Sequence, residues 1–325
     1  MTHTPVLVQE FLKFAAPKSG DHLLDATLGL GGHALSFLAS APNTKVTGLD
    51  ADPLAIKQAQ QNLADYQDRV RCVNAHFSRL KALFGGGGDF SNVLFDLGIG
   101  SHQLSDNARG FSFQSEAPLV MRYGQSAASV PADFKALNDL ERFIGHPPDA
   151  DEIIQKMRQD DLADLIRHYG EERYAGRVAR LIKERQPATA KELASAVMAA
   201  VPGRYAHGRI HPATRTFQAL RLAVNRELES LASVLPQAVD LLAPDGQLAV
   251  ISFHSLEDRI VKQFMKSNPR LTVLTKKPVQ ASEAERQANP RSRSAKLRVA
   301  IKTNKPKQTH DLQYKTTSRS SSSSI

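Results

Sequence analysis

The fold is decided by the stretch Asp25-Ala26-Thr27-Leu28-Gly29-Leu30-Gly31-Gly32-His33. It follows an apolar segment over residues 22–26 and precedes a helical pattern over residues 33–39, which predicts a glycine-rich turn between a strand and a helix. Glycines at such a turn let the backbone bend sharply and approach a ligand closely. The pattern favours a ligand-binding turn, although a purely structural turn would look the same.

Asp50 is a second sign of a ligand site. It lies eighteen residues after Gly32 and directly after a predicted strand over residues 45–49. A carboxylate in this place can accept hydrogen bonds from both ribose hydroxyls of a nucleoside. The dinucleotide-binding pattern Gly-x-Gly-x-x-Gly has its third glycine where this chain has Ala34. S-adenosyl-L-methionine (SAM) has no pyrophosphate, so this departure favours a methyl donor over a nicotinamide dinucleotide.

Strand and helix patterns alternate along the first hundred residues. Asp52-Pro53 is typical of a helix start, with an N-cap followed by proline at the first helical position, and this helix is predicted to end near Ala64. Further strands are predicted over residues 69–73 and 92–95. The alternation predicts an α/β fold with a parallel, doubly wound sheet.

The alternation stops after residue 104. Between residues 105 and 206 apolar positions recur at helical spacing without a strand pattern, which predicts an inserted α-helical domain. The predicted helices cover residues 153–157, 162–169, 174–185 and 192–201.

Strand patterns return near the carboxyl end of the chain. A long helix over residues 215–242 leads through a turn at Pro244-Asp245-Gly246 into a fifth strand over residues 247–252. A helix over residues 256–266 follows, and two later segments, 271–276 and 296–301, can pair as a hairpin. We therefore predict a Rossmann-like domain in two parts that is interrupted by the helical domain. The predicted divisions are 1–104, 105–206, 207–303 and a disordered, basic and serine-rich tail over 304–325.

The 325-residue chain carries a net charge of +9 and a single cysteine, Cys72. Residues 262–325 hold 15 Lys and Arg against 3 Asp and Glu, an excess expected either where a protein contacts phosphates or in a tail that only aids solubility. One cysteine excludes an internal disulfide framework and fits a reducing, cytoplasmic setting. No apolar run approaches the roughly 20 residues of a membrane helix, so we expect no membrane span. The 11 histidines form no tight ligand cluster with cysteine, so we expect no metal site.

Two further strand ends carry side chains that can take part in catalysis or substrate binding. The fourth strand is followed by Asp96-Leu97-Gly98-Ile99-Gly100-Ser101, and the fifth by Ser252-Phe253-His254-Ser255. The carboxyl ends of parallel strands face the ligand crevice, so Asp96 is expected near a reacting methyl group, where it can orient a substrate amine or accept its proton. His254 fits a base or an RNA contact, and a merely structural histidine fits the pattern as well as these two functional roles together.

These segments resemble the RsmH (MraW) family of 16S rRNA cytosine-N4 methyltransferases. The resemblance covers about residues 1–303 and rests on motifs that occur in order and are not generic to methyltransferases. Besides the segments quoted above, the matching motifs are His3-Thr4-Pro5-Val6-Leu7, Arg109-Gly110-Phe111-Ser112-Phe113, Tyr169-Gly170-Glu171-Glu172-Arg173, residues 211–221, Val224-Asn225-x-Glu227-Leu228, and residues 251–259 and 289–298.

The resemblance implies a class I methyltransferase that transfers a methyl group from SAM to N4 of a specific cytidine in the decoding region of 16S rRNA (position 1402 in the usual rRNA numbering), within the small ribosomal subunit. The implied cofactor contacts are Gly31, Gly32, His33, Asp50, Phe77, Asp96 and Gln103, with Phe77 flanking the adenine. Expected RNA or substrate contacts are Arg109, Arg215, Phe253, Asp258, Arg259, Arg291, Arg293 and Lys296, and the expected catalytic residues are Asp96, His254 and Ser255. The oligomeric state stays open between monomer and homodimer.

The chemistry of the residues agrees with this substrate. The N4 amine of cytosine is a weak nucleophile because its lone pair is delocalised into the ring, so it needs alignment and a proton acceptor. Methylation at C5 would instead need a nucleophilic cysteine, and Cys72 lies in the middle of the third predicted strand, where we expect a buried apolar role. The target base must also be unstacked, and Phe253 and Phe111 are candidates to stack on it, unless they belong to the core.

The chain departs from the family pattern at three carboxylates. The family's Val-Ser-Ser-x-Gln-Leu-Asp and Leu-Asp-Met-Arg-Met-Asp appear here as residues 99–105 and 119–124, which leaves Ser105, Val120 and Gly124 where the family has aspartate. These losses keep two alternatives open: a SAM methyltransferase acting on DNA or another RNA, and a non-catalytic ribosome-assembly factor of the same fold. A dinucleotide-dependent enzyme is a more distant alternative.

Overall fold

The computed structural model describes residues 4–100, 109–123, 132–206 and 211–303. Within these residues, seven strands form one sheet in the order β3-β2-β1-β4-β5-β7-β6. The strands are β1 His22–Asp25, β2 Lys45–Asp50, β3 Val70–Asn74, β4 Phe90–Asp96, β5 Leu242–Ser252, β6 Leu271–Val273 and β7 Lys296–Lys302.

The first five strands are parallel, and β7 joins them in the antiparallel sense. Strand β1 pairs with both β2 and β4, so the strand order reverses between β1 and β4. This reversal creates a crevice outside the carboxyl ends of the central strands, which is where ligands bind in open α/β sheets. The predicted pairing of the last two strands is confirmed, since β6 and β7 are antiparallel neighbours, although β6 is shorter than expected.

Two sets of helices accompany the sheet. The helices that are linked to the sheet are α1 Val8–Ala15, α2 Gly32–Ser40, α3 Pro53–Asn62, α4 Leu80–Phe84, α12 Glu227–Leu241, α13 Ser255–Ser267 and α14 Glu283–Ala288. The second set is α5 Lys135–Ile144, α6 Ala150–Lys156, α7 Gln159–Gly170, α8 Ala175–Arg185, α9 Ala190–Ala200, α10 Gly203–Ala206 and α11 Ala213–Asn225.

Alternating side chains of the strands supply the cores on the two faces of the sheet. Leu24 of β1 belongs to a cluster with Val234 of α12 and Val261 of α13, whereas its neighbour Leu23 packs in another cluster with Phe37 of α2. A third cluster lies among α5 to α9 and α11 and includes the buried Tyr169. The Rossmann-like α/β class with a helical insertion is therefore confirmed.

The single helix predicted over residues 215–242 is wrong, because the chain breaks between α11 and α12. Arg226 adopts a left-handed conformation with φ 51°, and its buried guanidinium pairs with Glu141 of α5 at 2.5 Å. Asn225 donates a hydrogen bond to the Met121 carbonyl oxygen at 2.8 Å. These partners lie far away in the sequence, so helical periodicity alone does not reveal the break.

The predicted turn at Pro244-Asp245-Gly246 is a bulge inside β5. Leu242 pairs with Phe90, and the regular register resumes where Gln247 pairs with Asn92. Asp245 has φ 61°, which absorbs the additional residues without reversing the chain. The sequence analysis also missed five helices: α1, α4, α5, α10 and α14.

Candidate active site

A cavity lies at the carboxyl ends of β1, β2 and β4, where the topology predicts a ligand. Of the residues expected at the site, seven line this cavity: Gly32, His33, Asp50, Phe77, Asp96, Phe253 and Arg291. The three strand-end carboxylates Asp25, Asp50 and Asp96 lie at one edge of the sheet because their strands are parallel, and Asp50 and Asp96 line the cavity whereas the buried Asp25 does not. Gln103, which the resemblance also implicated, lies outside the described residues, as do Ser105 and Gly124.

The glycine-rich turn shapes the cavity through one close approach, at Gly32, and one left-handed residue, Gly31. A Cβ atom on Gly32 would lie 2.8 Å from Pro5 Cγ, so only glycine fits between the amino-terminal segment and α2. Gly31 has φ 83° and does not line the cavity; it turns the chain into α2, and its amide donates to the Leu28 carbonyl oxygen at 2.8 Å. The turn thus brings Gly32 and His33 to the cavity.

Asp50 ends β2 with its carboxylate fixed by two backbone amides. Gly29 donates to Oδ2 at 2.9 Å and Asp52 donates to Oδ1 at 2.8 Å. A carboxylate offers about four lone-pair positions, so ribose hydroxyls can be accommodated beside these amides. Asp52 caps α3 through its side chain, which accepts from the Leu54 amide as the Asp-Pro pattern predicted.

Asp96 ends β4 at the floor of the cavity, with 21% of its side chain exposed. Its amide donates to Thr27 Oγ1 at 2.6 Å, and its Oδ1 has no hydrogen-bond partner among the described residues. Burial, reinforced by the charges of Asp25 and Glu257, raises the pKa of the Asp96 carboxyl well above its ordinary value. The ligand-free site therefore favours the protonated form of this carboxyl.

His33 is buried between the amino-terminal segment and Asp96. Its Nε2 lies 2.9 Å from the Val6 carbonyl oxygen and its Nδ1 lies 3.7 Å from Asp96 Oδ2. A carbonyl oxygen only accepts, so Nε2 carries the hydrogen and Nδ1 faces the carboxyl. His33 thus faces one oxygen of Asp96, at a distance beyond that of a hydrogen bond.

Asp25 adds a titratable group that the sequence analysis treated only as part of the glycine-rich motif. It is 1% exposed, and Oδ1 accepts from the Thr27 amide at 3.2 Å. Burial raises the pKa of this carboxyl to about 7. A strand-end aspartate looks the same in sequence whether it is solvated or buried, so no local signal marked it.

Aromatic rings lie on different sides of the cavity. Phe77 lines it next to His76, with ring centroids 4.2 Å apart, and offers an apolar face for an adenine. Phe253 lines it beside Gly98, whose φ is 98° and whose added Cβ would lie 3.4 Å from the Phe253 ring. Phe111 belongs to the helical core, as the sequence allowed, and does not line the cavity.

Three acidic or phenolic residues at the cavity were not expected from sequence: Tyr123, Glu227 and Glu257. The Tyr123 hydroxyl donates to Glu227 Oε1 at 2.9 Å. Arg221 holds the same carboxylate with Nε at 2.9 Å and Nη2 at 3.1 Å. Two of these residues belong to motifs of the resemblance, but their convergence with Tyr123 depends on the break between α11 and α12.

His254 and Ser255 lie beside the cavity and do not line it. His254 caps α13, since its Nδ1 accepts from the Glu257 amide at 3.4 Å and its Nε2 lies 3.2 Å from Glu257 Oε1. The Ser255 hydroxyl donates to a carboxylate oxygen of Glu171. The structure therefore engages both predicted catalytic side chains in contacts that organise the start of α13.

Most of the expected RNA-binding side chains also have protein partners. Arg215 donates to the Glu171 carbonyl oxygen at 3.0 Å, and Arg259 donates to the Glu171 carboxylate at 2.9 Å. Glu171 thus links the helical insertion to α13. Arg109 lies 3.0 Å from Asp52 Oδ2.

The basic side chains near the carboxyl end, Arg291, Arg293, Lys296 and Arg298, differ in exposure. Asp258 forms a two-point ion pair with Arg298, at 2.6 and 3.2 Å, and lies 3.8 Å from the Lys296 ammonium. Arg293 and Arg291 are exposed, and Arg291 reaches the cavity rim. The exposed pair is best placed to meet a polyanion.

Cys72 lies in β3 but is partly exposed, so the expectation of a fully buried residue is wrong. It does not line the cavity.

Within the ranges described above, no helix has the length and apolar character needed to cross a membrane. The same ranges contain no cluster of three or more His, Cys, Asp or Glu that is suited to hold a metal ion.

Comparisons with known proteins place the chain in a family. The family model of the MraW methylases matches residues 1–142 and 145–303. The chain is 46% identical over 299 residues to a protein of Synechococcus elongatus named ribosomal RNA small subunit methyltransferase H, covering 92% of this chain and 94% of that protein. A protein of the same name from Trichormus variabilis is 45% identical over 302 residues, covering 93% and 92%. A solved structure of an rRNA methylase from Streptococcus thermophilus aligns with 93% of this chain and 99% of its own, with 10% identity and a TM-score of 0.43. The chain belongs to the MraW methylase family.

Proposed function

We propose that this chain methylates N4 of a cytidine in the decoding region of 16S rRNA, on the small ribosomal subunit. Membership of the MraW methylase family makes it a SAM-dependent methyltransferase, and the names of its relatives support ribosomal RNA as the substrate class. The observation that carries the finer assignment is Asp96, a cavity-lining carboxyl with 21% of its side chain exposed, whose buried Oδ1 has no hydrogen-bond partner in the described part of the chain. Such a group suits an amine that must lose a proton.

The order of the residues along the cavity fits one orientation of bound SAM. The Asp50 carboxylate is fixed where the ribose hydroxyls would lie, and Phe77 offers a ring for the adenine. Gly32 and His33 border the end where the amino-acid part would lie, with Gly31 shaping their turn. Gln103 completes the proposed set through the resemblance alone. When bound, the cofactor supplies an electrophilic methyl group on a sulfonium.

Asp96 is the protein group that acts as the proton acceptor. It accepts one amine proton as the nitrogen–carbon bond forms and the carbon–sulfur bond of the donor breaks. The cavity walls hold the amine in line with the methyl group, which removes the entropic cost of alignment. Because a positive charge nearby lowers the pKa of a carboxyl, the sulfonium favours the ionised form of Asp96 that can accept the proton.

Exposed basic side chains next to the cavity are proposed to hold the RNA backbone. Arg291 lies at the cavity rim, and Arg293 is exposed in the same short 3-10 helix, Pro290–Arg293. Phosphates can also compete with Glu171 for Arg215 and Arg259, whereas Asp258, Arg298 and Lys296 are proposed to stabilise this region. Cations on such a surface bind the phosphodiester backbone without reading the sequence.

The division into domains is also a proposal. We infer that 1–104 and 207–303 form the methyltransferase domain and that 105–206 form the insertion, with 304–325 as a tail. The buried cluster of α5 to α9 supports a core for the insertion, and α11 of the second methyltransferase part packs into the same cluster. We place the enzyme in the cytoplasm, where small ribosomal subunits assemble.

Transfer of tritiated methyl groups from SAM to small subunits that lack the modification tests the proposal. Label recovered as N4-methylcytidine at one decoding-region site is the expected result. Label in a different nucleoside, or in DNA, would support another nucleic-acid substrate. SAM binding without any transfer would support an assembly factor, for which the altered residues Ser105, Val120 and Gly124 are the relevant observation.

A further inference from the structure

Tyr123 is held rigidly at the wall of the cavity. Its amide donates to Asn225 Oδ1 at 3.0 Å, and its carbonyl oxygen accepts from Arg109 Nη1 at 2.8 Å. Its hydroxyl donates to Glu227 Oε1 at 2.9 Å, and its ring stacks on Phe111 with centroids 5.6 Å apart. Backbone, ring and hydroxyl are therefore all positioned before any ligand enters.

The direction of the hydroxyl hydrogen bond is determined by its partner. Arg221 holds the Glu227 carboxylate at two points, and a carboxylate only accepts hydrogen bonds. Burial, together with the charge of Glu227, raises the pKa of the Tyr123 phenol well above its ordinary value, so the phenol keeps its proton. With its hydrogen directed to Glu227, the phenol oxygen has only lone pairs left for the cavity.

The same wall carries other groups that only accept. Glu257 lines the cavity, and although burial raises its pKa, the charges of His254 and Arg221 bring the pKa below its ordinary value, so the carboxylate stays ionised. The ionised form of Asp96 is an acceptor as well. A pyrimidine with an exocyclic amine suits such a wall, because the amine donates two hydrogens. An exocyclic oxygen does not suit it, because its lone pairs would face the lone pairs of the acceptors.

We propose that Tyr123 is a specificity-determining residue whose phenol oxygen accepts one hydrogen of the exocyclic amine of the target base, while Asp96 accepts the other. This assignment rests on the proposed function. The family pattern has methionine at this position, which offers no such oxygen, so in this chain Tyr123 adds to the discrimination that Asp96 provides. The enzyme thereby favours a cytidine over a uridine at the target position.

Small subunits reconstituted from transcribed rRNA with either cytidine or uridine at the target position test the assignment. Equilibrium binding of both is measured for the wild type, Tyr123→Phe and Tyr123→Met. Tyr205→Phe is the matched control, because the Tyr205 hydroxyl donates to Glu172 Oε2 at 2.8 Å and Tyr205 does not line the cavity. SAM affinity and thermal unfolding are measured for every variant.

The two Tyr123 variants are expected to lower the preference for cytidine by about fivefold, the effect of one neutral hydrogen bond. SAM affinity should stay within about twofold of wild type, and Tyr205→Phe should keep the full preference. An unchanged preference in Tyr123→Phe would overturn the assignment while leaving the proposed function intact. Failure of the wild type to form N4-methylcytidine would overturn the proposed function, and this inference with it.

Discussion

His33 Nδ1 lies 3.7 Å from Asp96 Oδ2, while the other ring nitrogen of His33 is committed to the Val6 carbonyl oxygen at 2.9 Å. The histidine therefore faces one oxygen of the carboxyl at a distance beyond that of a hydrogen bond. The other oxygen, Oδ1, has no hydrogen-bond partner in the residues that the structure describes. Oδ1 is buried, so Asp96 meets a substrate through the exposed part of its side chain, which is 21% exposed and lines the cavity.

Replacing Asp96 by Asn or Ala is expected to reduce methyl transfer by roughly a thousandfold, the usual contribution of a positioned general base. The fold should persist, because the main-chain bond of residue 96 to Thr27 does not need the carboxyl. Single-turnover transfer to small subunits and thermal unfolding measure the two effects. Asp89→Asn, at an exposed position just before β4, is the control. Full activity of Asp96→Ala would contradict the assignment.

Replacing Asp25 by Asn is expected to stabilise the ligand-free protein at high pH. The pKa of this carboxyl is about 7 in the fold against 3.8 for the ordinary group, so the folded state holds the proton more tightly. The free energy of unfolding of the wild type therefore falls as pH rises from about 4 to about 7. Above that range the variant should be more stable by up to roughly 4 kcal/mol, and near pH 4 the two should be equal. Urea unfolding at several pH values decides this, and a pH-independent difference would argue against a buried, protonated Asp25.

Replacing Asp50 by Ala is expected to weaken SAM binding by about ten- to a hundredfold. The variant loses charge-assisted hydrogen bonds to the ribose and also the anchors for the Gly29 and Asp52 amides. Asp50→Asn keeps one acceptor oxygen and should give an intermediate dissociation constant. Isothermal titration calorimetry with SAM measures both. Wild-type affinity in Asp50→Ala would exclude the ribose-binding role.

The ion pair of Asp258 with Arg298 is expected to matter for stability. Arg298 is only 6% exposed, and Arg298→Met leaves the Asp258 carboxylate with one distant cation, Lys296. We expect a loss of roughly 3 kcal/mol in the free energy of unfolding. Arg270→Met is the matched control, because its pair with Asp240 is exposed and should contribute less than about 1 kcal/mol. Urea unfolding measures both variants. Equal losses in their free energies of unfolding would contradict the larger contribution expected of the buried pair.

Gly170 allows α7 and α11 to pack closely. A Cβ atom at this position would lie 2.6 Å from the Arg215 carbonyl oxygen, which is backbone and cannot move aside alone. Gly170→Ala should therefore destabilise the protein by about 1–3 kcal/mol. Gly176→Ala, in α8 with nothing within 4 Å of the added atom, should instead stabilise it by about 0.5–1 kcal/mol. Thermal unfolding gives the sign of both effects, and two changes of the same sign would contradict the packing argument.

Local patterns predicted the architecture around the cavity. A glycine-rich turn and the carboxylates Asp50 and Asp96 mark strand ends through residues that are adjacent in sequence. The Asp52 cap of α3 is likewise a short-range feature. Parallel strands end at one edge of the sheet, so the strand order by itself brings these carboxylates together. For that reason the sequence alone determined the fold class and the position of the cavity.

The partners of individual side chains were decided by the tertiary structure. Arg226 breaks the predicted long helix because it pairs with Glu141, and this break is what lets Glu227 meet Tyr123. His254 reads as a catalytic candidate in sequence but caps α13 in the fold. Each of these outcomes depends on atoms that are distant along the chain or on the burial of a charge. Periodicity and short motifs describe neighbours in sequence, whereas hydrogen bonding and pKa depend on neighbours in space.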